Sequence, residues 1–531
     1  MKRYIFFPLL ICWCLSVTLL HAQHPALQEI YSLQGWTNGV FLGNGLINPG
    51  DLNGDGYNEF ISYSRNTSKV LFYWGAFPVD TIPDLTFFEM GPQFPKSLRD
   101  VAVANIDHDS LMEMIVPFTG SQDYETFIYK LGIGQDSLAD FILDGGGENV
   151  CIGDLNGDGY DDIILADPDS VWLSRGRVRI YLGSANFDTT ADYVIIGDSS
   201  RTSLGFAITT GDLNGDNYDD LIVWGINYNI NVSFDYIRIY NGSTNFDTTY
   251  DFQLNDPSIN PANLGFTLPA LSTFDYNQDG YDDLFIGGIF IYNGSTNFDT
   301  IPEHHLIWPD SSFNAYGGLT FNYLFNSGDI NKDGYQDLAI GMPFMFGGKG
   351  LVHIRMGSPY GLDQDYIIVE PNRGSGFGWS VVPIGDIDQN GVSDILIGEP
   401  RNGLYDQGKL HFYSGDSTLS PVVGIRGTSL PKPLAFVLKQ NYPNPFNNET
   451  VIQYQLFKKL HVRLTIYNIQ GQVIRNLIDE SQSAGRHHAY WDGKDLNNRD
   501  VASGIYFYQL KLIDLTTSQT FQRTKKLIYL K

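Results

Sequence analysis

Three features are scarce in this sequence: cysteine, positive charge and long apolar segments. The chain of 531 residues holds 3 Cys, and its 33 Lys and Arg face 60 Asp and Glu. Beyond the N-terminus no apolar run approaches the roughly 20 residues needed to cross a bilayer. Helical heptads are absent too, whereas 56 Gly and 14% aromatic residues favour a β-rich protein with many turns.

The N-terminus has the pattern of a signal peptide. A Lys-Arg pair precedes the apolar segment 6–20, and Ala22 offers a small residue for cleavage, so we predict a signal peptide over residues 1–22. After cleavage only Cys151 remains, and an internal disulfide is excluded. No transmembrane helix is expected in the mature chain.

Charge divides the sequence in two. Residues 1–420 contain 18 Lys and Arg against 53 Asp and Glu, whereas residues 421–531 contain 15 against 7. Such a switch predicts two domains with separate roles. Because the acidic part would repel phosphates, nucleic acid is not expected as a partner.

An acidic nonapeptide recurs seven times. Its copies begin at Asp51, Asn105, Asp154, Asp212, Asp275, Asp329 and Asp386, with successive starts 54, 49, 58, 63, 54 and 57 residues apart. This spacing suits four short strands plus their connections, which is one propeller blade. We therefore predict an all-β fold with a seven-bladed β-propeller over residues 24–415. A strand near 27–33 is expected to pair with the last blade.

The repeated loop carries oxygen ligands in a spacing that suits Ca²⁺. Side chains at positions 1, 3 and 5 can converge on one cation, position 7 offers its backbone carbonyl, and position 9 adds a carboxylate. Position 6 needs a left-handed backbone, which Gly allows and Asn217 tolerates. An EF-hand is excluded, because position 12 of the third loop is Leu165, within a β-like run.

Several structural Ca²⁺ ions are therefore expected, and no other cofactor. Their predicted ligands are Asp51, Asn53, Asp55, Tyr57 and Glu59; Asp154, Asn156, Asp158, Tyr160 and Asp162; Asp212, Asn214, Asp216, Tyr218 and Asp220; Asp275, Asn277, Asp279, Tyr281 and Asp283; Asp329, Asn331, Asp333, Tyr335 and Asp337; Asp386, Asp388, Asn390, Val392 and Asp394. In the second copy Asn105 replaces the first Asp and Ser110 replaces the Gly, so metal binding there stays open. The alternative for all copies is a set of acidic turns without metal.

Together with Leu204-Gly-Phe206, Leu264-Gly-Phe266 and Phe377-Gly-Trp379, these loops resemble the FG-GAP repeats of integrin α-subunit propellers. The resemblance covers about residues 25–415. It implies calcium loops that are structural and lie on one face of the disc. Ligands would then meet the opposite face or the rim.

The C-terminal part is predicted to be a separate domain. Residues 416–435 are typical of a linker, and the density of short strands over 436–531 predicts an immunoglobulin-like sandwich without its disulfide. Stretches 440–447, 501–508 and 525–531 resemble the type A sorting domain of the type IX (Por) secretion system. That resemblance implies the type IX machinery as a partner, and a secreted or outer-membrane surface location in a Gram-negative-type bacterium.

Catalytic motifs are missing from the sequence. It contains no His-Glu-x-x-His, no Gly-x-Ser-x-Gly elbow and no Walker loop. No catalytic residues are therefore assigned. The sequence favours a non-catalytic ligand-binding or adhesion module with an extracellular protein or glycan as its unknown ligand. Two alternatives stay open: an enzyme that degrades polysaccharide or phospholipid, and a purely structural envelope component.

Overall fold

In a computed structural model, the chain divides into two compact units, Met1–Val422 and Val423–Lys531. The described residues are 27–35, 41–65, 67–79, 82–87, 97–119, 125–134, 137–168, 175–198, 202–228, 233–254, 271–287, 290–296, 298, 302, 304–305, 323–343, 350–358, 362, 364–369, 375–402, 406–417, 436–438, 441, 443–456, 459–483, 485–496, 498–513 and 520–530. The predicted signal peptide and residues 418–435 of the predicted linker lie outside them. Among the described residues, none forms a helix that could cross a membrane.

Within its described residues the first unit has seven small antiparallel sheets, each formed by strands that are consecutive in the chain, with the N-terminal strand added to the last sheet. The N-terminal strand is β1 (Gln28–Gln34), and the sheets follow as β2 (Gly45–Gly50), β3 (Glu59–Ser64), β4 (Lys69–Tyr73) and β5 (Leu85–Phe87); β6 (Ser97–Leu98), β7 (Ala102–Ala104), β8 (Met112–Thr119), β9 (Glu125–Leu131) and β10 (Phe141–Asp144); β11 (Asn149–Gly153), β12 (Asp162–Asp167), β13 (Arg177–Tyr181) and β14 (Tyr193–Ile196); β15 (Thr202–Gly211), β16 (Asp220–Tyr228), β17 (Ser233–Tyr240) and β18 (Phe252–Leu254); β19 (Leu271–Phe274), β20 (Asp283–Ile286), β21 (Phe290–Tyr292) and β22 (His304–His305); β23 (Tyr323–Asn326), β24 (Leu338–Gly341), β25 (Leu351–Met356) and β26 (Gln364–Val369); β27 (Ser380–Gly385), β28 (Asp394–Glu399) and β29 (Lys409–Ser414).

These sheets are the blades expected from the loop spacing, and the all-β fold class is confirmed. First strands of successive sheets contact each other, and β2 of the first sheet contacts both β7 and β27. Strand β1 pairs with β29 and so adds the fourth strand to the seventh sheet. This order of contacts agrees with the predicted seven-bladed β-propeller.

The core lies between the sheets. In β3, β12 and β28 every residue is buried, because neighbouring sheets cover both faces. Such strands carry continuous apolar runs, as in 163–166, instead of alternation. The outermost strands β10 and β14 alternate between buried and exposed positions.

A buried histidine ties the N-terminal strand to the seventh sheet. In His411 of β29, Nδ1 lies 2.9 Å from Oε1 of Glu29 in β1, and Nε2 lies 2.8 Å from Oε2 of Glu399 in β28. Burial lowers the pKa of His411, but hydrogen bonds to Glu29 and Glu399 outweigh it, so that the net shift is upward despite the nearby charge of Lys409. The same contact holds the pKa of Glu29 below its ordinary value. Folding therefore favours the imidazolium form of His411 relative to the unfolded chain.

We expect this contact to stabilise the propeller more at pH 6 than at pH 9. Because the folded-state pKa of His411 is raised, its contribution is complete below the unfolded value of about 6.5 and is lost as the pH rises through the folded value. Urea unfolding of wild type and His411→Gln at both pH values measures this contribution to stability. The free-energy difference between the two proteins should shrink at pH 9. An equal difference at both pH values would contradict the assignment, and His487→Gln, in the second unit, is the control.

The second unit has two sheets of an immunoglobulin-like sandwich. One contains β30 (Phe436–Leu438), β31 (Thr450–Leu456) and β34 (Gly485–Trp491); the other contains β32 (Leu460–Tyr467), β33 (Val473–Gln482), β35 (Gly504–Ile513) and β36 (Thr520–Tyr529). Trp491 is fully buried in their common core, where its ring lies near those of Phe446 and Tyr506. The sequence predicts strands at 451–456, 462–467, 472–477, 488–491, 505–513 and 526–530; all six are present, and β30 is additional.

Candidate metal centres

Each of the seven repeated loops joins the first two long strands of its sheet. They are loop one (51–59), loop two (105–113), loop three (154–162), loop four (212–220), loop five (275–283), loop six (329–337) and loop seven (386–394). All seven therefore lie at the same end of their sheets. The structure places every predicted ligand among the described residues.

The carboxylate at position 1 organises the loop. In loop one, Oδ1 of Asp51 accepts hydrogen bonds from the N–H groups of Gly54 (2.7 Å) and Asp55 (3.2 Å), and Oδ2 accepts one from Gly56 (2.9 Å). In loop seven, Asp386 accepts equivalent bonds from the backbone of 390 and 391. Loops three to six repeat this pattern. The loop backbone thus wraps around the side chain at position 1, as ligands that converge on one cation require.

The loop backbone is left-handed at two positions. Position 6 has positive φ in all loops except loop two, including 66° at Asn217, as the sequence predicts. Position 4 also has positive φ, which sequence reasoning missed; its residues include Gln278, Lys332 and Gln389 with φ near 60°. These non-glycine residues occupy a conformation that L side chains rarely adopt.

The acid at position 9 is buried in every loop. In loops three, four, six and seven both of its oxygens accept backbone hydrogen bonds, whereas the Glu of loops one and two does so through one oxygen only. In loop six, Asp337 accepts a hydrogen bond from Ile330 N–H (3.0 Å) and another from Gly357 N–H (2.8 Å) at the end of β25. A Cβ on Gly357 would lie 2.1 Å from the Gln336 carbonyl, so glycine is needed for this approach. Gly183, Gly242, Gly294 and Gly415 donate the same bond in loops three, four, five and seven. Sequence reasoning missed these glycines.

Burial disfavours the ionised form of the position-9 carboxyls when no cation is bound. It raises the pKa of Asp162 to about 7, of Asp220 and Asp337 to about 8, and of Asp283 to about 9, although backbone N–H donors partly oppose it. The pKa of Asp394 is raised to about 6 for the same reason. A neighbouring cation would favour the ionised form.

Spacing between the acids suits a calcium ion. In loop one, oxygens of Asp51, Asp55 and Glu59 lie within 4.8 Å of one another, and those of Asp386, Asp388 and Asp394 do so in loop seven. Oxygens on opposite sides of Ca²⁺ lie about 5 Å apart, because each Ca–O distance is about 2.3–2.6 Å. The residues of loops one and seven therefore fit such an ion.

Neighbouring loops are joined to one another. The acid at position 8, which was not predicted to have a role, reaches the first residue of the preceding loop: Asp219 accepts from Asp154 N–H (2.9 Å) and Asp282 from Asp212 N–H (3.1 Å). Asp161 accepts from Asn105 N–H in the same way (2.7 Å). Loops three, four and five therefore position the first residue of the loop before them.

Side chains at positions 4 and 7 continue the connection. Gln389 of loop seven donates a hydrogen bond to the Tyr57 hydroxyl of loop one (2.8 Å). At Gly157 a Cβ would lie 2.3 Å from the ring of Tyr218 in the next loop. A tyrosine at position 7 thus covers the preceding loop, in addition to offering its own carbonyl.

Loop two departs from the others. The side-chain oxygen of Asn105 accepts no hydrogen bond, and Ser110 lacks the positive φ found at position 6 elsewhere. Oxygens of Asp107, Asp109 and Glu113 still lie within 4.8 Å of one another. An ammonium group, that of Lys130, contacts all three side chains.

Comparisons with known proteins agree with this fold. A family model described as an FG-GAP-like repeat matches residues 154–223, and one described as a FlgD Ig-like domain matches 447–514. Among curated proteins, Integrin alpha-5 of Xenopus laevis is 28% identical over 220 residues, 36% of this chain and 19% of that protein. Integrin alpha-8 of Mus musculus is 29% identical over 260 residues, 44% of this chain and 22% of that protein.

A third relative is Integrin alpha-PS3 of Drosophila melanogaster, 32% identical over 164 residues, 28% of this chain and 14% of that protein. The matches thus span about a fifth or less of these relatives. Among solved structures, FLGD from P. Aeruginosa is 19% identical and covers 18% of this chain and 70% of that one, with a TM-score of 0.15. The chain is therefore similar to integrin α subunits in its FG-GAP-like repeats, and to the FlgD Ig-like domain near its C-terminus.

Proposed function

We propose that the chain is an exported, non-catalytic ligand-binding or adhesion module whose propeller is braced by calcium ions. The observation that carries this proposal is the same oxygen-lined loop at the same end of six sheets, in each of which an Asp at position 1 accepts backbone hydrogen bonds from positions 5 and 6. Similarity to integrin α subunits supports the choice of a binding module over an enzyme.

Loops one and three to seven would hold the ions. In each, the side chains at positions 1, 3, 5 and 9 and the carbonyl at position 7 supply the oxygens. When bound, Ca²⁺ supplies charge neutralisation and crosslinking, not reaction chemistry. These loops hold 21 of the chain's carboxylates, and their mutual repulsion would otherwise oppose the folded state.

Binding without chemical change is the test of function. The full chain, labelled with biotin, would be applied in 2 mM Ca²⁺ to arrays of extracellular proteins and polysaccharides. We expect retention on at least one class of ligand, loss of retention in EGTA, and intact ligand by mass spectrometry afterwards. Cleavage of the bound ligand would contradict a non-catalytic role and support the degrading enzyme. Retention on neither array would support the structural envelope component.

Export is proposed to depend on the second unit. Its Ig-like fold, net positive charge and the stretches 440–447, 501–508 and 525–531 support a role as a type IX sorting domain. Deleting residues 436–531 in a host with this secretion system should leave the propeller in the periplasm, whereas the full chain should reach the surface. Surface labelling of intact cells separates the two outcomes. Equal labelling of the full and truncated chains would contradict the proposal.

A further inference from the structure

Loop two contains a positive charge of its own. Nζ of Lys130 lies 2.7 Å from Oδ2 of Asp107 and 3.7 Å from Oε1 of Glu113, and it also forms an ion pair with Asp109. These carboxylates are at positions 3, 5 and 9, where the other loops have their metal ligands. The ammonium group therefore lies among the oxygens that a cation would contact.

The register of the sheets explains how the lysine reaches this point. Lys130 in β9 is the cross-strand partner of Glu113, the position-9 acid. At the same register position the other sheets have Trp74, Leu182, Asn241, Asn293, Met356 and Ser414. None of these is basic. A positive charge at this register position is thus particular to the second sheet.

The rest of loop two agrees with a loop organised without metal. Glu113 keeps its bond from Ile106 N–H (3.1 Å), but its other oxygen, Oε1, accepts no hydrogen bond and faces Lys130 instead. The bonds from positions 5 and 6 onto position 1, seen in the other loops, are missing in loop two, where Asn105 replaces aspartate and Ser110 lacks the positive φ of position 6. Nζ of Lys130 compensates the charge of three side chains that would otherwise repel one another.

We propose that Lys130 is a tethered cation that takes the place of the metal ion in loop two, so that the propeller binds six calcium ions and not seven. This inference rests on the proposed calcium binding of the other loops. A chain with the ammonium removed and the loop repaired should therefore gain a seventh site.

Two variants of the full chain test the proposal. The first, Asn105→Asp with Ser110→Gly, restores the consensus of loop two and retains Lys130. The second adds Lys130→Asn, because asparagine occupies this register position in the fourth and fifth sheets. Bound calcium would be counted by equilibrium dialysis and elemental analysis, and folding checked by circular dichroism.

We expect six ions per chain in wild type and in the first variant, and seven in the second. Seven ions in wild type or in the first variant would overturn the inference, because Lys130 would then not exclude metal. Six ions in a folded second variant would overturn it as well. No bound calcium in wild type would overturn the proposed function itself, so the two failures are distinguishable.

A measurement on wild type keeps the inference testable if the second variant does not fold. Acetylation of Lys130 by an amine reagent, followed by mass spectrometry, should be slow and equally slow in calcium and in EGTA. Exposed Lys459 in the second unit is the control for reagent activity. Faster labelling of Lys130 in calcium would mean that the metal displaces the ammonium, and would overturn the inference.

Discussion

Chelation of calcium should lower the unfolding temperature of this protein by about 10 °C. A ligand that binds only the folded state stabilises it by RT ln(1 + [L]/Kd), which is about 1.4 kcal/mol per site at ten times Kd and about 8 kcal/mol for six sites. For a domain of this size the unfolding entropy converts that into a shift on the order of 10 °C. Thermal unfolding of the full chain in EGTA and in millimolar calcium measures it.

Single-site variants provide the control for chelation. Asp154→Asn with Asp158→Asn, in loop three, should remove about one sixth of the calcium-dependent shift. Glu449→Gln, an exposed acid in the second unit, should leave the shift unchanged. Identical unfolding with calcium and with EGTA would contradict the prediction and leave the loops as acidic turns.

The second large effect is expected at position 9 and does not require metal. Asp337→Ala removes the acceptor of two buried backbone N–H groups, those of Ile330 and Gly357. A buried donor left without a partner costs about 1–3 kcal/mol, so the free energy of unfolding should fall by about 2–6 kcal/mol even in EGTA. Urea unfolding of wild type and variant in EGTA measures this loss.

Asp333→Ala is the matched control in the same loop. Asp333 is exposed and accepts a hydrogen bond from Tyr335 N–H (2.9 Å), so in EGTA its loss should be much smaller. In calcium both variants should lose the ion of loop six. If Asp337→Ala lowered the free energy of unfolding in EGTA no more than Asp333→Ala does, Asp337 would act only as a metal ligand, contrary to the structure.

The repeated loop made the propeller predictable from sequence. Regular spacing from Asp51 to Asp386 predicts seven sheets, and the need for φ > 0 explains why Asn217 can replace glycine. The strand near 27–33 could be predicted as well, because only two strands fit between the start of the seventh loop and the predicted linker, whereas three strands follow each of the other loops. In each case the information lies in the repeat pattern of the sequence.

Other features could not be predicted because they join residues that are distant in the chain. Asp219 lies in the same acidic loop as the predicted metal ligands, yet it accepts a hydrogen bond from the backbone N–H of Asp154 in the preceding loop. Lys130 lies 17 residues beyond Glu113, and only the register of β8 and β9 places it on the loop. His411 likewise meets Glu29 only because β1 joins the seventh sheet. Pairing across sheets, rather than local composition, determines these contacts.

Counting bound calcium on the wild-type chain tests the central claim most directly. The full chain would be dialysed to equilibrium against millimolar calcium, and the metal would be measured against protein concentration. Six ions per chain are expected, one for each loop with a complete set of oxygen ligands. A chain that remains folded and binds no calcium would contradict the account, since its loops would then be acidic turns that hold the propeller together through hydrogen bonds alone.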